Sequence, residues 1–126
     1  MNTDARVPEL LIGCDSLFLQ CLMTGGVGTV TGPGSVFYER FNRLYRQYKE
    51  GDMRGAMETQ RKIVQTDREL AGIPDIPALK TLLKYRGIIR TDVCRAPLRP
   101  LTNAEKDVLT KIFAAYCKEE GIYDER

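Results

Sequence analysis

The apolar positions of this chain change their period once, near Ser35, and that change predicts its layout. Ahead of Ser35 stand two brief β-type runs, PELLIGC at Pro8–Cys14 and VGTVT at Val27–Thr31. Each is too short for a helix and is closed by a polar or glycine corner, so each is expected to be a buried parallel strand. The segment SLFLQCLMTGG between them predicts a short helix that ends at Gly25-Gly26, with Asp15 or Ser16 as its cap. Gly32-Pro33-Gly34 turns the chain, and Ser35 is the expected N-cap of the next helix. A strand-helix-strand-helix rhythm with almost no linker is that of a parallel βα repeat. In such repeats, ligand-handling groups sit just beyond the carboxyl ends of the strands.

From Ser35 onward the pattern is helical. Phe37, Phe41, Leu44, Tyr45 and Tyr48 share one face, expected to be helix core or an inter-subunit face. Gly51 breaks that helix and Asp52 caps the next, whose apolar stripe is Met57, Ile63, Val64 and Leu70. Pro74 and Pro77 mark a turn, and Asp75 is placed as the cap of a short helix from Ala78 to Tyr85. Gly87–Leu101 has no sustained period and reads as an extended connection. Thr102 and Glu105 spell a capping box before a last helix that buries Val108, Leu109, Ile112, Phe113 and Tyr116. Residues 1–7 read as a loose leader.

Composition narrows the function classes. A net charge of +2 over 126 residues gives no electrostatic case for nucleic acid or an acidic membrane surface. There is no apolar run of spanning length and no secretory layout at the start, so a cytoplasmic setting is expected. Histidine is absent, which removes Ser-His-Asp and Cys-His activation within this chain. The four cysteines, Cys14, Cys21, Cys94 and Cys117, form no C-x-x-C pair. They are expected to be free buried thiols, with no metal and no cofactor.

Several stretches admit more than one role. Gly13-Cys14-Asp15-Ser16 lies where a strand meets a loop. A glycine there lets a ligand approach the backbone, and Asp15 either accepts hydrogen bonds from substrate hydroxyls or merely caps a helix. TGGVGTVTGPGS matches neither G-x-G-x-x-G nor the lysine-bearing phosphate loop. Its Gly34-Ser35 corner either takes a small anion at a helix N-terminus or is a tight turn. Lys80, Lys84, Arg86, Arg90, Arg95 and Arg99 make a basic stretch without aromatic interleaving, read as a solvated connection packed on a neighbouring surface.

LLIGCDSLFLQCLMTGGVGTVTG, KEGD at Lys49–Asp52, IPALKTLLKYRG at Ile76–Gly87 and CRAPLRPLT at Cys94–Thr102 occur in an order that resembles the dihydrodipicolinate synthase / N-acetylneuraminate lyase family. The resemblance runs from about Pro8 to Gly121. It implies an α/β fold, the C-terminal part of a (β/α)8 TIM barrel plus a C-terminal helical extension. Residues 1–51 would be the last two βα units, with strand seven at Leu10–Cys14 and strand eight at Val27–Thr31, and residues 52–126 the extension. Gly13 and Asp15 match the glycine and carboxylate that face substrate at the end of strand seven. Ser16 stands where sialic-acid lyases tend to have a glutamate, Val30 matches an apolar strand-eight residue near bound pyruvate, and Gly32 replaces a serine.

The family's reaction is a Schiff-base aldol cleavage or condensation of a 2-keto acid such as pyruvate. Its strand-six lysine, strand-five tyrosine and G-T-T-G-E-G carboxylate loop have no counterpart in this sequence. The implied reading is therefore the C-terminal part of such an aldolase, inactive alone, with no catalytic residue of its own. Its expected partners are a small 2-keto acid in the intact barrel, and either copies of itself in a homo-oligomer or a missing N-terminal barrel part. A non-catalytic helical interaction module derived from that barrel is the alternative.

Overall fold

The computed structural model describes residues 8–122; the expected leader over residues 1–7 lies outside them. Two strands, β1 (Leu11–Ile12) and β2 (Gly28–Thr29), pair in parallel with Leu11 opposite Gly28 and Ile12 opposite Thr29. Between them come a 3-10 turn (Asp15–Leu17) and α1 (Phe18–Met23). A second 3-10 turn (Pro33–Ser35) leads to α2 (Tyr38–Lys49), α3 (Met53–Leu70), α4 (Asp75–Tyr85) and α5 (Asn103–Glu120).

The parallel pair is present, but each strand is shorter than its apolar run and is not buried. Leu11 is 53% exposed and Val30 67%. Parallel strands are buried when both sheet faces and both neighbours cover them. Here only α1 bridges the two strands, so the flanking apolar residues remain in solvent and the ladder stays short.

Two hydrophobic clusters hold the helices. One joins Phe18, Leu19 and Leu22 of α1 to Phe41 and Leu44 of α2 and to Ala56 and Ile63 of α3. The other gathers Val36, Phe37, Leu70, Ala78, Leu82, Leu101, Leu109 and Tyr116. Each draws on residues from both sides of Gly51. Within the predicted stripes, Phe37, Phe41 and Leu44 are buried, whereas Tyr45, Met57 and Val108 lie on the exposed edge of their faces. Helix-on-helix packing needs only the central stripe, so the flanks stay wet.

Helix ends follow local chemistry in part. The Asp52 side chain accepts from the Gly55 amide, and Thr102 with Glu105 closes the reciprocal capping box. Gly51, at φ +79°, takes the left-handed conformation that lets α2 stop and α3 start at once. Three expected caps are corrected. Asp75 lies in the first turn of α4, which begins at Asp75 rather than Ala78, and Pro74 occupies the cap position without a side-chain bond. Neither Asp15 nor Ser16 caps α1; Leu17 is its cap residue. Ser35 does not cap α2, which starts after Phe37, because its hydroxyl donates instead to the Gly32 carbonyl at 2.6 Å.

Charged and polar residues lock α2, α3, α4 and α5 together. Arg40, 8% exposed, donates to Thr66 Oγ1 and to Glu119, each at 2.6 Å, and stacks over the Tyr116 ring. Arg43 pairs in a fork with Glu120 at 2.7 Å. Much of the predicted basic stretch is likewise internally engaged: Arg86 with Glu39, Lys84 with Asp92, Arg99 with Glu105. Between α4 and α5 the chain has no helix or strand, as its pattern predicts. Among the described residues no helix is long and apolar enough to cross a membrane.

Candidate functional site

The carboxyl ends of β1 and β2 open onto a cleft of about 480 Å³ between the strand rim and the junction of α3 with α4. Gly13, Asp15, Ser16, Val30 and Gly32, the five residues singled out from the sequence, all line it. They converge because the pairing is parallel: each strand delivers its following loop to the same end of the sheet. Across the cleft stand Asp67 and Leu70 of α3, Ile73 in the turn, and Asp75 and Leu79 of α4.

The rim is built by four hydrogen bonds that the residue pattern did not reveal. Thr31 donates its hydroxyl to Asp15 Oδ2 at 2.6 Å and accepts from the Gly34 amide at 2.9 Å. Gln60 of α3 donates from Nε2 to the Asp15 carbonyl at 2.9 Å, while its Oε1 accepts from the Leu19 amide at 2.8 Å. The loop after β1 is thereby tied to β2 on one side and to α3 on the other. Gly34 has to be glycine here, since a Cβ would sit 2.1 Å from Thr31 Cγ2. The same geometry decides the role of the Gly34-Ser35 corner. The Gly34 amide is used by Thr31, and those of Ser35, Val36 and Phe37 by Gly32 and Pro33. That corner is a tight turn, not an anion seat.

Electrostatically the cleft is acidic. Asp15, Asp67 and Asp75 line it, with no lysine or arginine lining it among the described residues, in a chain whose net charge is +2. Burial raises the Asp15 pKa against the lowering effect of the Thr31 hydrogen bond. Asp15 Oδ1 is a buried oxygen without a donor. Asp67 is pushed up to about 6, first by burial and then by the charge of Asp15. It receives no hydrogen bond and makes no ion pair among the described residues.

Asp67 was missed from the sequence, although a signal existed. It lies four residues after Ile63 and three before Leu70, so an acidic side chain interrupts the apolar stripe of α3. Gln60 and Thr31 carried no such signal. Their roles depend on partners 45 and 16 residues away.

A raised carboxylate costs stability above its pKa. Asp67 holds a proton in the folded state at pH values where the unfolded chain has lost it, between 3.8 and about 6. Its contribution is therefore full below the lower value and lost as pH rises through the higher. Asp67→Asn is expected to raise stability at pH 7 by at most about 1 kcal/mol once solvent screening is allowed for. It should also flatten that pH window; urea midpoints at pH 4 and pH 7 measure both effects.

Chemically, the cleft offers carboxylate acceptors, two glycines at its edge and an apolar floor of Leu70, Ala78 and Leu79. Cys14 at the rim is exposed, and its sulfur lies 3.2 Å from Ser16 Oγ. Cys94 and Cys117 are only half-buried, so of the expected buried thiols Cys21 alone fits that description. No group of three or more His, Cys, Asp or Glu side chains is arranged for a metal among the described residues.

Known proteins share this architecture. A dihydrodipicolinate synthase from Bacteroides thetaiotaomicron superposes with a TM-score of 0.76 at 23% identity, over 85% of this chain and 37% of that one. The 4-hydroxy-tetrahydrodipicolinate synthase of Methylacidiphilum fumariolicum superposes at 0.72 with 28% identity, over 90% and 38%. The chain thus overlays part of a TIM-barrel protein of that type. In sequence it is 33% identical over 107 residues to N-acetylneuraminate lyase 2 of Escherichia coli, covering 83% of this chain and 35% of the relative. It is 26% identical over 103 residues to 4-hydroxy-tetrahydrodipicolinate synthase 2 of Clostridium acetobutylicum, covering 82% and 36%. The chain spans about a third of the length of these curated relatives. The model of the dihydrodipicolinate synthetase family matches residues 5–116. This chain belongs to the dihydrodipicolinate synthetase family.

Proposed function

We propose that this chain supplies strands seven and eight and the C-terminal helical extension of a pyruvate-type Schiff-base aldolase or lyase. Residues 1–51 form the barrel portion and residues 52–126 the extension. Gly13, Asp15, Ser16, Val30 and Gly32 face the substrate, a small 2-keto acid or its aldol partner, in a cytoplasmic enzyme. The observation that carries this reading is the convergence of all five residues on one cleft at the carboxyl ends of a parallel pair. Active sites of barrel enzymes sit at that face.

No lysine lines the cleft, so the Schiff-base amine comes from elsewhere in the assembled barrel. The chain therefore works with the remaining barrel strands, or within a homo-oligomer that brings them. The exposed apolar residues in and beside β1 and β2, Leu10, Leu11 and Val27 among them, are the surface those strands would cover.

Borohydride trapping tests this. The chain is incubated with pyruvate and sodium borohydride, alone and after co-refolding with the N-terminal two-thirds of the Escherichia coli relative. Mass spectrometry is expected to find a reduced adduct only in the mixture, on the relative's portion. An adduct on the isolated chain would overturn the claim that the amine comes from elsewhere. A folded mixture that traps no pyruvate would overturn the aldolase reading. A second reading, a non-catalytic interaction module, rests on the same open strand edges and predicts a defined complex without any adduct.

A further inference from the structure

The geometry points to Asp67 as the residue that sets charge selectivity in this cleft: from α3 it faces the strand rim and admits the donor-bearing, non-anionic end of the substrate. The inference rests on the cleft being a substrate site, and it assigns a role to a helix outside the barrel strands. Asp67 lies on the wall opposite Gly13, Ser16 and Val30, on the otherwise apolar stripe between Ile63 and Leu70. A half-buried carboxylate retained for stability would be paired. Arg40, Arg43, Arg86 and Arg99 each hold a carboxylate elsewhere in this fold, yet among the described residues no basic side chain pairs with Asp67. Its electrostatic neighbour among the described residues is another carboxylate, Asp15, whose buried Oδ1 also lacks a donor.

Two unpaired acceptors in a cleft with an apolar floor leave hydrogen-bonding capacity that a ligand or water can fill. Hydroxyl or ammonium groups satisfy both walls, whereas a carboxylate on the ligand meets like charge from both. A keto acid is itself an anion. Its carboxylate must therefore be held away from this cleft, leaving the cleft to the other end of the molecule. Asp15 is already engaged by Thr31 and Asp75 is exposed at the outer edge. Asp67 is the carboxylate left wholly to the ligand.

Three six-carbon probes of one shape separate the outcomes: D-glucitol (neutral), D-glucamine (cationic) and D-gluconate (anionic). Each is titrated into the isotope-labelled chain at pH 8 and low salt, with the amides of Gly13, Val30 and Gly32 as reporters. Wild type is expected to bind glucitol and glucamine and to disfavour gluconate by about tenfold or more, less so as salt is raised. Asp67→Asn, nearly isosteric, is expected to reduce that discrimination at least about threefold. Glu58→Gln, the same charge change on the exposed face of α3, should leave it intact. A ratio of glucamine to glucitol above one assigns charge, and a ratio near one assigns hydrogen bonding, as the larger part of the selectivity. Equal binding of gluconate in wild type, no cleft response to any probe, or unchanged discrimination in Asp67→Asn would each overturn the assignment. Borohydride trapping in the completed barrel is independent of this result. An adduct with unaltered selectivity sinks the role of Asp67 alone, and selectivity without an adduct sinks the aldolase reading alone.

Discussion

Phe37→Ala is expected to remove a large share of this chain's folding stability. Phe37 is 1% exposed and meets the Tyr116 ring edge-on, with centroids 4.8 Å apart, in the cluster that joins the start of α2 to α3, α4 and α5. Truncating a buried phenylalanine costs about 3–5 kcal/mol, from lost transfer free energy and the cavity left behind. A domain of this size has about 5–15 kcal/mol in total. The two strands add little to that total because their faces are open, so the helical clusters carry most of it. The substitution also reaches the cleft. Phe37 lies just after the turn at Pro33–Ser35, and its amide donates to the Pro33 carbonyl at 2.9 Å. Loosening Phe37 therefore loosens the loop that carries Val30, Thr31 and Gly32. Urea denaturation followed by circular dichroism measures the loss. A midpoint shift worth under about 1 kcal/mol would show that the cluster is not the main source of stability.

The second large effect belongs to Arg86. Its guanidinium, 9% exposed, donates to Glu39 Oε1 at 2.6 Å, to Glu39 Oε2 at 3.1 Å and to the Val36 carbonyl at 2.6 Å. It also lies over the Tyr38 ring at 4.6 Å. Tyr116 donates its hydroxyl to the same Glu39. Arg86→Met keeps the stem but strands Glu39 beside the core, and breaking such a pair from one side costs about 3 kcal/mol. Adding Glu39→Gln should recover part of that cost, because the orphaned charge is what destabilises.

The pair also dictates an acid dependence. Burial alone would raise the Glu39 pKa, but the hydrogen bonds from Arg86 and Tyr116 lower it from 4.5 to about 2. A carboxylate depressed on folding stabilises above its unfolded value, and that stability is lost as pH falls through the folded one. Wild type is thus expected to lose this contribution between pH 4.5 and about 2, whereas Arg86→Met should show little of that slope. Urea midpoints across that range decide it; parallel slopes in the two proteins would refute the assignment. Faster amide exchange at Val30–Ser35 in Arg86→Met would further show that the Val36 carbonyl bond steadies the rim.

Much of the layout was legible along the chain because it is local. Asp52 before α3 and the Thr102–Glu105 box before α5 are decided within one helical turn. The central stripe of α2 obeys a period of 3.6. Gly13 and Gly32 were readable as strand-end residues because strand-to-loop corners have a recognisable composition. The failures share a cause. Asp15, Ser16 and Ser35 all have the chemistry of caps, but competing partners decided their roles. Asp15 turns to Thr31, and Ser35 turns back to Gly32. The strands were expected to be buried because their runs are apolar. Apolarity states what a segment needs, and only the surrounding structure decides whether it is met.

Which segments are helices, where the strand rim lies and which family's pattern the chain obeys could all be read from the amino acids alone. All three are written in neighbouring residues or in an ordered set of short motifs. What the rim faces was settled in three dimensions. Folding brought Asp67 opposite Asp15 and made Gln60 the brace between α3 and the loop after β1. Among the described residues it also left the cleft without a lining lysine or arginine. Those facts depend on contacts across tens of residues, where no local propensity acts and only the packing of α3 against the strand ends brings the groups together.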